Sequence, residues 1–231
     1  MTDIHCHLLP MVDDGGDDIL KSLEILRAMV LNGTDKVILT PHGADGARIN
    51  TPEFLTEKFN AFVKTVREAG INVKLYLGEE VAFTRDFYNR KKSDFLTLAG
   101  SKALLIEFLF CESEDISDEV YNLSALGYTP VVAHVERYEN AFNEKCLAEI
   151  KAAGGVTQVN ADTLLKERGE SAYKKCVKFI KNGLIDVVAS DTHQFRVPSL
   201  KAAEAVVRKK CGEEAAEALF FKNAEKIIFN E

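Results

Sequence analysis

No stretch of the 231 residues approaches the roughly 20 apolar positions that a membrane-crossing helix needs, and no charged segment with an apolar core behind it opens the chain. Neither a membrane span nor an export leader is expected, which points to the cytoplasm. An excess of positive charge is missing as well: 29 Lys and Arg stand against 36 Asp and Glu, for a net charge of -7. That balance argues against a nucleic-acid backbone as the main partner, because such binders cluster Lys and Arg on one face. It leaves room for a locally positive pocket that takes a phosphate. Paired cysteines are absent too. Cys6, Cys111, Cys146, Cys176 and Cys211 are scattered, odd in number and without a Cys-x-x-Cys pair, so they read as free, mostly buried thiols. None is followed by five residues and then Arg, which removes the thiolate cradle of cysteine-based phosphatases. No Gly-x-Gly-x-x-Gly follows the first strand, which disfavours a dinucleotide fold. No repeat, linker or low-complexity stretch divides the chain, so residues 1–231 are expected to form one domain.

What is present is an alternation of short apolar runs with amphipathic stretches. Strands are expected at the start of the chain, at 36–40, 73–77, 103–106, 129–133, 156–159 and 186–189. Helical spacing is found over 17–32, from Thr51-Pro52-Glu53 towards Gly70, over 117–126, 139–153 and 172–182, and from Pro198 through Phe221. Strands that alternate with helices imply a parallel sheet, and near-continuous apolar strands imply burial on both faces.

The polar residues then choose between an open sheet and a closed barrel. His5 and His7 sit two apart, which on a strand puts both imidazoles on one face and Cys6 on the other. The second strand ends in Thr40-Pro41-His42, the third in Gly78-Glu79-Glu80, the fourth in Glu107, the fifth in His134 and the seventh in Asp191-Thr192-His193. Only the sixth, ending in Asn160-Ala161-Asp162, lacks an obvious ligand. Reactive groups at the C-terminal ends of many strands are the mark of a barrel. Imidazole and carboxylate together suit Mn, Fe(II) or Zn, whereas an all-oxygen Mg or Ca cage would not use five histidines. Any one of these side chains has a structural explanation, as an ion-pair partner or a turn cap. A core cannot hold all of them at one rim unless cations neutralise them.

In order along the chain, DIHCH, VDDGG, TPH, LGEE, LLIEF, VVAHVERY, QVNA and VASDTH resemble the successive motifs of the PHP superfamily and, within it, the CpsB/YwqE-like tyrosine-protein phosphatases of bacterial capsule and exopolysaccharide systems. The resemblance implies a distorted seven-stranded TIM-like α/β barrel with three divalent metal ions, most often Mn, with Fe, Zn or Mg as alternatives. It assigns the first metal to His5, His7, Glu80 and Asp191, with Glu80 bridging to a second metal on Glu107 and His134. The third falls to Asp14, His42 and His193, where Asp14 is preferred over Asp13. It also assigns Arg137 and Arg196 to a phosphate-binding site, as matches the bidentate fit of guanidinium to phosphate.

The activity implied is metal-dependent hydrolysis of phosphotyrosine on the tail of a bacterial tyrosine kinase that controls polysaccharide synthesis. The alternatives are a small-molecule phosphoesterase acting on histidinol phosphate, or a metal-stabilised partner of the kinase with little turnover. A related amidohydrolase is disfavoured because no Lys stands at position 80 or 107. Met11, Gly43 and Val197-Pro198 depart from the usual pattern and bear on the substrate mouth.

Overall fold

The computed structural model describes residues 1–44, 50–84, 86–108 and 116–230. Among these residues eight strands appear: β1 (Thr2–Asp3), β2 (Lys36–Leu39), β3 (Lys74–Leu77), β4 (Glu80–Phe83), β5 (Ala103–Phe108), β6 (Thr129–Val132), β7 (Val156–Asn160) and β8 (Val187–Ala189). They form a sheet of three, β1-β2-β3, and a sheet of five, β4-β5-β6-β7-β8, and every ladder is parallel. The fold is therefore α/β with parallel sheets, as the alternation of patterns requires.

The strand count differs from the seven expected, and the reason lies at Gly78-Glu79. The third expected strand, 73–77, forms as β3 and pairs with β2, whereas an additional strand, β4, starts directly after Gly78-Glu79 and pairs with β5. A Cβ on Gly78 would lie 2.8 Å from the Leu98 side chain and 3.2 Å from its Cα, so only glycine lets the chain pass this close. Backbone contacts nevertheless run across the edges of the two sheets. Gly78 donates to the Leu39 carbonyl and Glu80 to that of Pro41, while His42 bridges Glu80 in parallel register. At the other edge Cys6 bridges Thr192, His7 donates to the Thr192 carbonyl and Asp191 to that of His5.

Among the described residues eight α-helices connect or follow the strands: α1 (Ile19–Leu31), α2 (Pro52–Glu68), α3 (Ile116–Ala125), α4 (Glu144–Ala152), α5 (Ala161–Leu164), α6 (Glu170–Lys181), α7 (Leu200–Cys211) and α8 (Glu213–Glu217). Their ends follow side-chain chemistry. The Asp18 carboxylate accepts from the amides of Leu20 and Lys21 to open α1, and Thr51 accepts from Phe54 ahead of Pro52 in α2. The helix expected from Glu139 begins only at Glu144, because Asn143 caps it by accepting from the Cys146 amide. The long helix expected through Phe221 stops at Cys211, where Gly212 takes φ 101°. Two π-helical turns, 218–222 and 225–229, complete it.

Ile4, just after β1, and the inner strand residues Ile38, Leu105, Val131 and Val187 are fully or almost fully buried together with Ala224 and Ile228 of that C-terminal segment. A hydroxyl bond from Thr2 and an ion pair from Lys36 both end on Glu225 and pin the segment to β1 and β2. A larger cluster lies beneath α3, α4, α6 and α7, with Leu104, Phe108 and Phe220 at its centre. Cys6 and Cys176 are buried free thiols, Cys146 and Cys211 are half-buried, and Cys111 lies outside the described residues. Among the described residues no helix is long and apolar enough to cross a membrane. Leu105→Ala should cost about 2–5 kcal/mol, because a fully buried side chain leaves a cavity that the packed strands cannot close. Equilibrium denaturation in urea reads that loss; an unchanged midpoint would count against the packing described.

Candidate metal centre

All nine side chains expected as ligands gather in one continuous cluster at the C-terminal ends of the strands. The segment after β1 carries His5 and His7, and its hydrogen bonds to Thr192 on one side and Thr40 on the other keep it extended. Their imidazoles consequently point the same way, with Nε2 atoms 3.1 Å apart, while Cys6 packs among Leu8, Leu9 and Leu26. Glu80, at the start of β4, places Oε2 3.2 Å from His5 Nε2 and 3.1 Å from His7 Nε2. Its other oxygen lies 2.9 Å from His134 Nε2, which in turn stands 3.4 Å from Glu107 at the end of β5. Asp191 Oδ1 is 3.6 Å from both His5 and His7. Asp14 reaches His42 at 3.6 Å and His193 at 3.8 Å.

Donor atoms within 4.8 Å of one another form three sets: His5, His7 and Glu80; His7, Asp14 and His193; and His42, Glu80 and Glu107. These sets regroup the partition that the resemblance implies, since His42 stands with Glu80 and Glu107, and His7 also faces Asp14 and His193. His134 and Asp191 take φ 34° and 51°, left-handed values that cost a non-glycine residue about 1–3 kcal/mol.

The chemistry of the donor set calls for a cation. Asp13 Oδ2 sits 2.8 Å from His7 Nδ1, and a carboxylate accepts only, so that nitrogen carries a proton and the neutral ring presents its lone pair at Nε2. His5 Nδ1 faces the Gln158 carbonyl oxygen at 3.1 Å, which exposes its Nε2 in the same way. Burial would lower both rings, but Glu80 and Asp191 raise His5, and Asp13 and Glu80 hold His7 well above its usual value. Without an ion these imidazoles carry the positive charge that the carboxylates demand, and a bound cation takes that place as they give up their Nε2 protons. Burial holds His134 down to about 4, and burial together with His7 does the same for His193, so both rings are neutral donors near pH 7. Burial alone would raise Glu80, but the imidazoles of His5, His134 and His7 outweigh it and hold the carboxyl well below its usual range. Burial and the Glu80 charge push Glu107 up to about 7. Residues of this kind fit divalent cations.

The two candidate arginines also reach the cluster. Arg137 and Arg196 each donate an Nη2 to Asp191 Oδ2, and Arg196 Nη1 donates to Asp162 at 3.1 Å. Arg137 Nε is buried without a hydrogen-bond partner among the described residues. Arg196 belongs to a tight turn in which His193 and Arg196 exchange backbone hydrogen bonds of 2.9 and 3.0 Å. Phe195, at the tip, is 75% exposed with its ring 5.1 Å from the His193 imidazole.

Reasoning from sequence preferred Asp14 over Asp13, and the two have different places. Asp14 is exposed and faces two histidines, whereas Asp13 is enclosed and accepts from His7, Gly15 and the His42 amide. Asp162, Gln158 and Asn160 were not anticipated as partners; the one signal for Gln158 and Asn160 was polar residues two apart on a buried strand, and Asp162 follows in α5. A Cβ on Gly15 would stand 1.8 Å from the His7 carbonyl oxygen, which shows how closely the Asp13-Asp14 loop lies over the histidines.

The family model for capsular polysaccharide synthesis, CpsB/CapC, matches residues 1–229. The chain belongs to the CpsB/CapC family. Among relatives it is 34% identical over 241 residues to the tyrosine-protein phosphatase CpsB of Streptococcus agalactiae, covering 100% of this chain and 99% of that one. It is 31% identical over 236 residues to the tyrosine-protein phosphatase YwqE of Bacillus subtilis, with 100% and 92% covered. A chain from the crystal structures of Bacillus subtilis YwqE and Streptococcus pneumoniae CpsB, metal-dependent tyrosine phosphatases, superposes with a TM-score of 0.90 at 31% identity, over 100% of this chain and 95% of that one. Beyond the CpsB/CapC family, an amidohydrolase from Mycoplasma synoviae shares the fold alone, at TM-score 0.65 and 12% identity over 99% and 87% of the two chains.

Asp13→Ala should weaken Mn²⁺ binding about 10- to 100-fold by freeing the His7 ring, the usual cost of losing a carboxylate behind a ligand histidine. Calorimetric titration reads it, and wild-type affinity would remove Asp13 from the centre. Protons on Glu107 compete with a cation for the same oxygens, so Mn²⁺ affinity should fall as pH drops through about 7 and recover above it. Titrations in buffers of different ionisation enthalpy would show the released protons; an affinity constant from roughly pH 6 to 8 would contradict this.

Proposed function

We propose that this chain is a metal-dependent protein-tyrosine phosphatase, a phosphoric monoester hydrolase that removes phosphate from tyrosines on a bacterial tyrosine kinase controlling capsular or exopolysaccharide synthesis. The observation that carries the reading is the single cluster of nine imidazole and carboxylate side chains with two guanidiniums at its edge, in a chain whose full-length relatives are tyrosine phosphatases. His5, His7, Glu80 and Asp191, Glu107 and His134, and Asp14, His42 and His193 would hold three divalent ions, Mn before Fe, Zn or Mg. Bound divalent ions supply a hydroxide from water whose pKa falls from 15.7 to about 7, and they neutralise charge on the phosphoryl oxygens.

The side chains of this protein do the rest. Arg137 and Arg196 bind and orient the phosphate, with the buried Nε of Arg137 as an uncommitted donor. Asp191 and Asp162 hold Arg196 from two sides, which fixes its fork before substrate arrives. Tyrosine leaves as a phenolate with a parent pKa near 10, which lessens the need for a proton donor to the leaving oxygen.

Further parts of the reading concern scale and place. Taking β3 and β4 as one interrupted strand, and the Cys6–Thr192 bridge as closure, yields a distorted seven-stranded barrel of the PHP type, one domain over residues 1–231. The chain would work in the cytoplasm, without membrane insertion or nucleic acid.

The exposed ring of Phe195 and the side chain of Met11, 67% exposed, favour an aromatic phosphate ester over histidinol phosphate. A complete donor set speaks against the third reading, a metal-stabilised partner of the kinase with little turnover.

Steady-state assays of Mn²⁺-reconstituted protein on a phosphotyrosine peptide and on histidinol phosphate, side by side, should show preference for the peptide; the reverse order would overturn the substrate. His42→Ala or Asp191→Ala should abolish turnover in a protein that still folds by circular dichroism, and near wild-type rates in either would refute the mechanism. Phe195→Ala should lower kcat/KM for the peptide about tenfold, the value of an apolar contact near 1.4 kcal/mol, and leave histidinol phosphate unaffected. Equal losses on both substrates would remove Phe195 from substrate selection.

A further inference from the structure

The sixth expected strand, β7, contributes no candidate ligand, yet three of its side chains or their close successors touch the groups that do. Gln158 and Asn160 are both fully buried and, two apart on a strand, project from the same face. Asn160 Nδ2 donates to Asp191 Oδ2 at 2.6 Å, and Gln158 Nε2 donates to Asn160 Oδ1 at 2.8 Å. Gln158 Oε1 then accepts twice, from the backbone amide of His134 at 2.9 Å and from His5 Nδ1 at 3.1 Å.

The direction of every bond in this chain is forced. Oxygen and nitrogen of an amide side chain are told apart only by their partners. Here both ends of the chain have a fixed polarity: the Asp191 carboxylate can only accept, and the His134 N–H can only donate. Asn160 must therefore turn its NH₂ to Asp191 and its oxygen to Gln158, and Gln158 must turn its oxygen to His134 and His5. The last link follows: His5 carries a proton on Nδ1, and in the neutral ring the lone pair on Nε2 faces His7 and Glu80.

We propose that Gln158 and Asn160 are positioning residues that select the metal-binding tautomer of His5 and the metal-facing oxygen of Asp191. Asp191 Oδ2 already takes donors from Asn160, Arg137 and Arg196, which leaves Oδ1 as the oxygen turned towards His5, His7 and His193. The bond to the His134 amide also anchors that residue in its left-handed conformation, so one side chain steadies two histidines from different strands. Neutral amides suit the task because they transmit polarity without adding charge to a site already rich in carboxylates. An imidazole whose proton were free to move to Nε2 would present N–H, not a lone pair, to the ion on a share of occasions.

This inference rests on the metal-holding part of the proposed function and is independent of the reaction catalysed. Long-range ¹H–¹⁵N correlation spectra of the metal-free wild type, at a pH where the rings are neutral, should show His5 as the Nδ1–H tautomer; an Nε2–H tautomer or an even mixture overturns the proposal even if no variant folds. Gln158→Met, which keeps the size and removes both amide groups, should release that preference and lower Mn²⁺ affinity about 10- to 100-fold by calorimetry. Gln158→Glu retains an acceptor and should restore the tautomer. Wild-type affinity and tautomer in the folded Gln158→Met protein would overturn the role of Gln158, while absence of Mn²⁺ binding by the wild type would overturn the metal reading and the relay with it.

Discussion

Too many acceptors meet in one place for this protein to be understood as a chain of amino acids alone. The Nε2 atoms of His5 and His7, 3.1 Å apart, share their space with Glu80 and Asp191, and once the two rings are neutral no proton lies among them. Such a grouping is repulsive in a buried setting unless positive charge is supplied. Most of the unusual local geometry can be traced to that requirement: left-handed backbone at His134 and Asp191, a loop at Gly15 that lies against His7, and a strand broken at Gly78 just before Glu80. Each departs from ordinary geometry at a point where a donor must be aimed.

Around the acceptors stands a second layer whose work is orientation. Asp13 lies behind His7, Gln158 behind His5, Asn160 behind Asp191, and Asp162 behind Arg196. Carboxylates serve where the partner should be made more basic or held as a cation, and amides where only polarity has to be passed on. The apolar ring beneath, from Ile4 through Val187, gives these side chains a rigid base and shuts water out on the inner side.

The strands, their parallel order and the candidate ligands were legible from residue types, because imidazole or carboxylate directly after a short apolar run has few explanations besides a strand-end site. His5, His7, Glu80 and Asp191 could be expected at one rim on that ground, while their grouping around one ion came only from the resemblance to the CpsB/YwqE-like phosphatases. Which of two adjacent aspartates faces outward could not, since Asp13 and Asp14 differ only in how the following Gly15 turns the chain. The split at Gly78-Glu79 was hidden because nothing in a single run of residues reports that its two halves pair with different neighbours. Gln158 and Asn160 escaped notice for a related reason: an uncharged amide has many ordinary uses in a sheet, and only its bonded neighbours distinguish them.

The four-residue turn from His193 to Arg196 has a consequence for how the protein meets anything outside it. One metal-facing imidazole, one guanidinium and the most outward aromatic ring of the region are carried by a loop whose ends are tied to each other by two backbone bonds. Such a short closed segment has no slack in which to absorb a push. Whatever leans on Phe195 is felt at once at His193 and at Arg196, so that under the function proposed above docking a large molecule and setting the geometry of its attack become a single mechanical act.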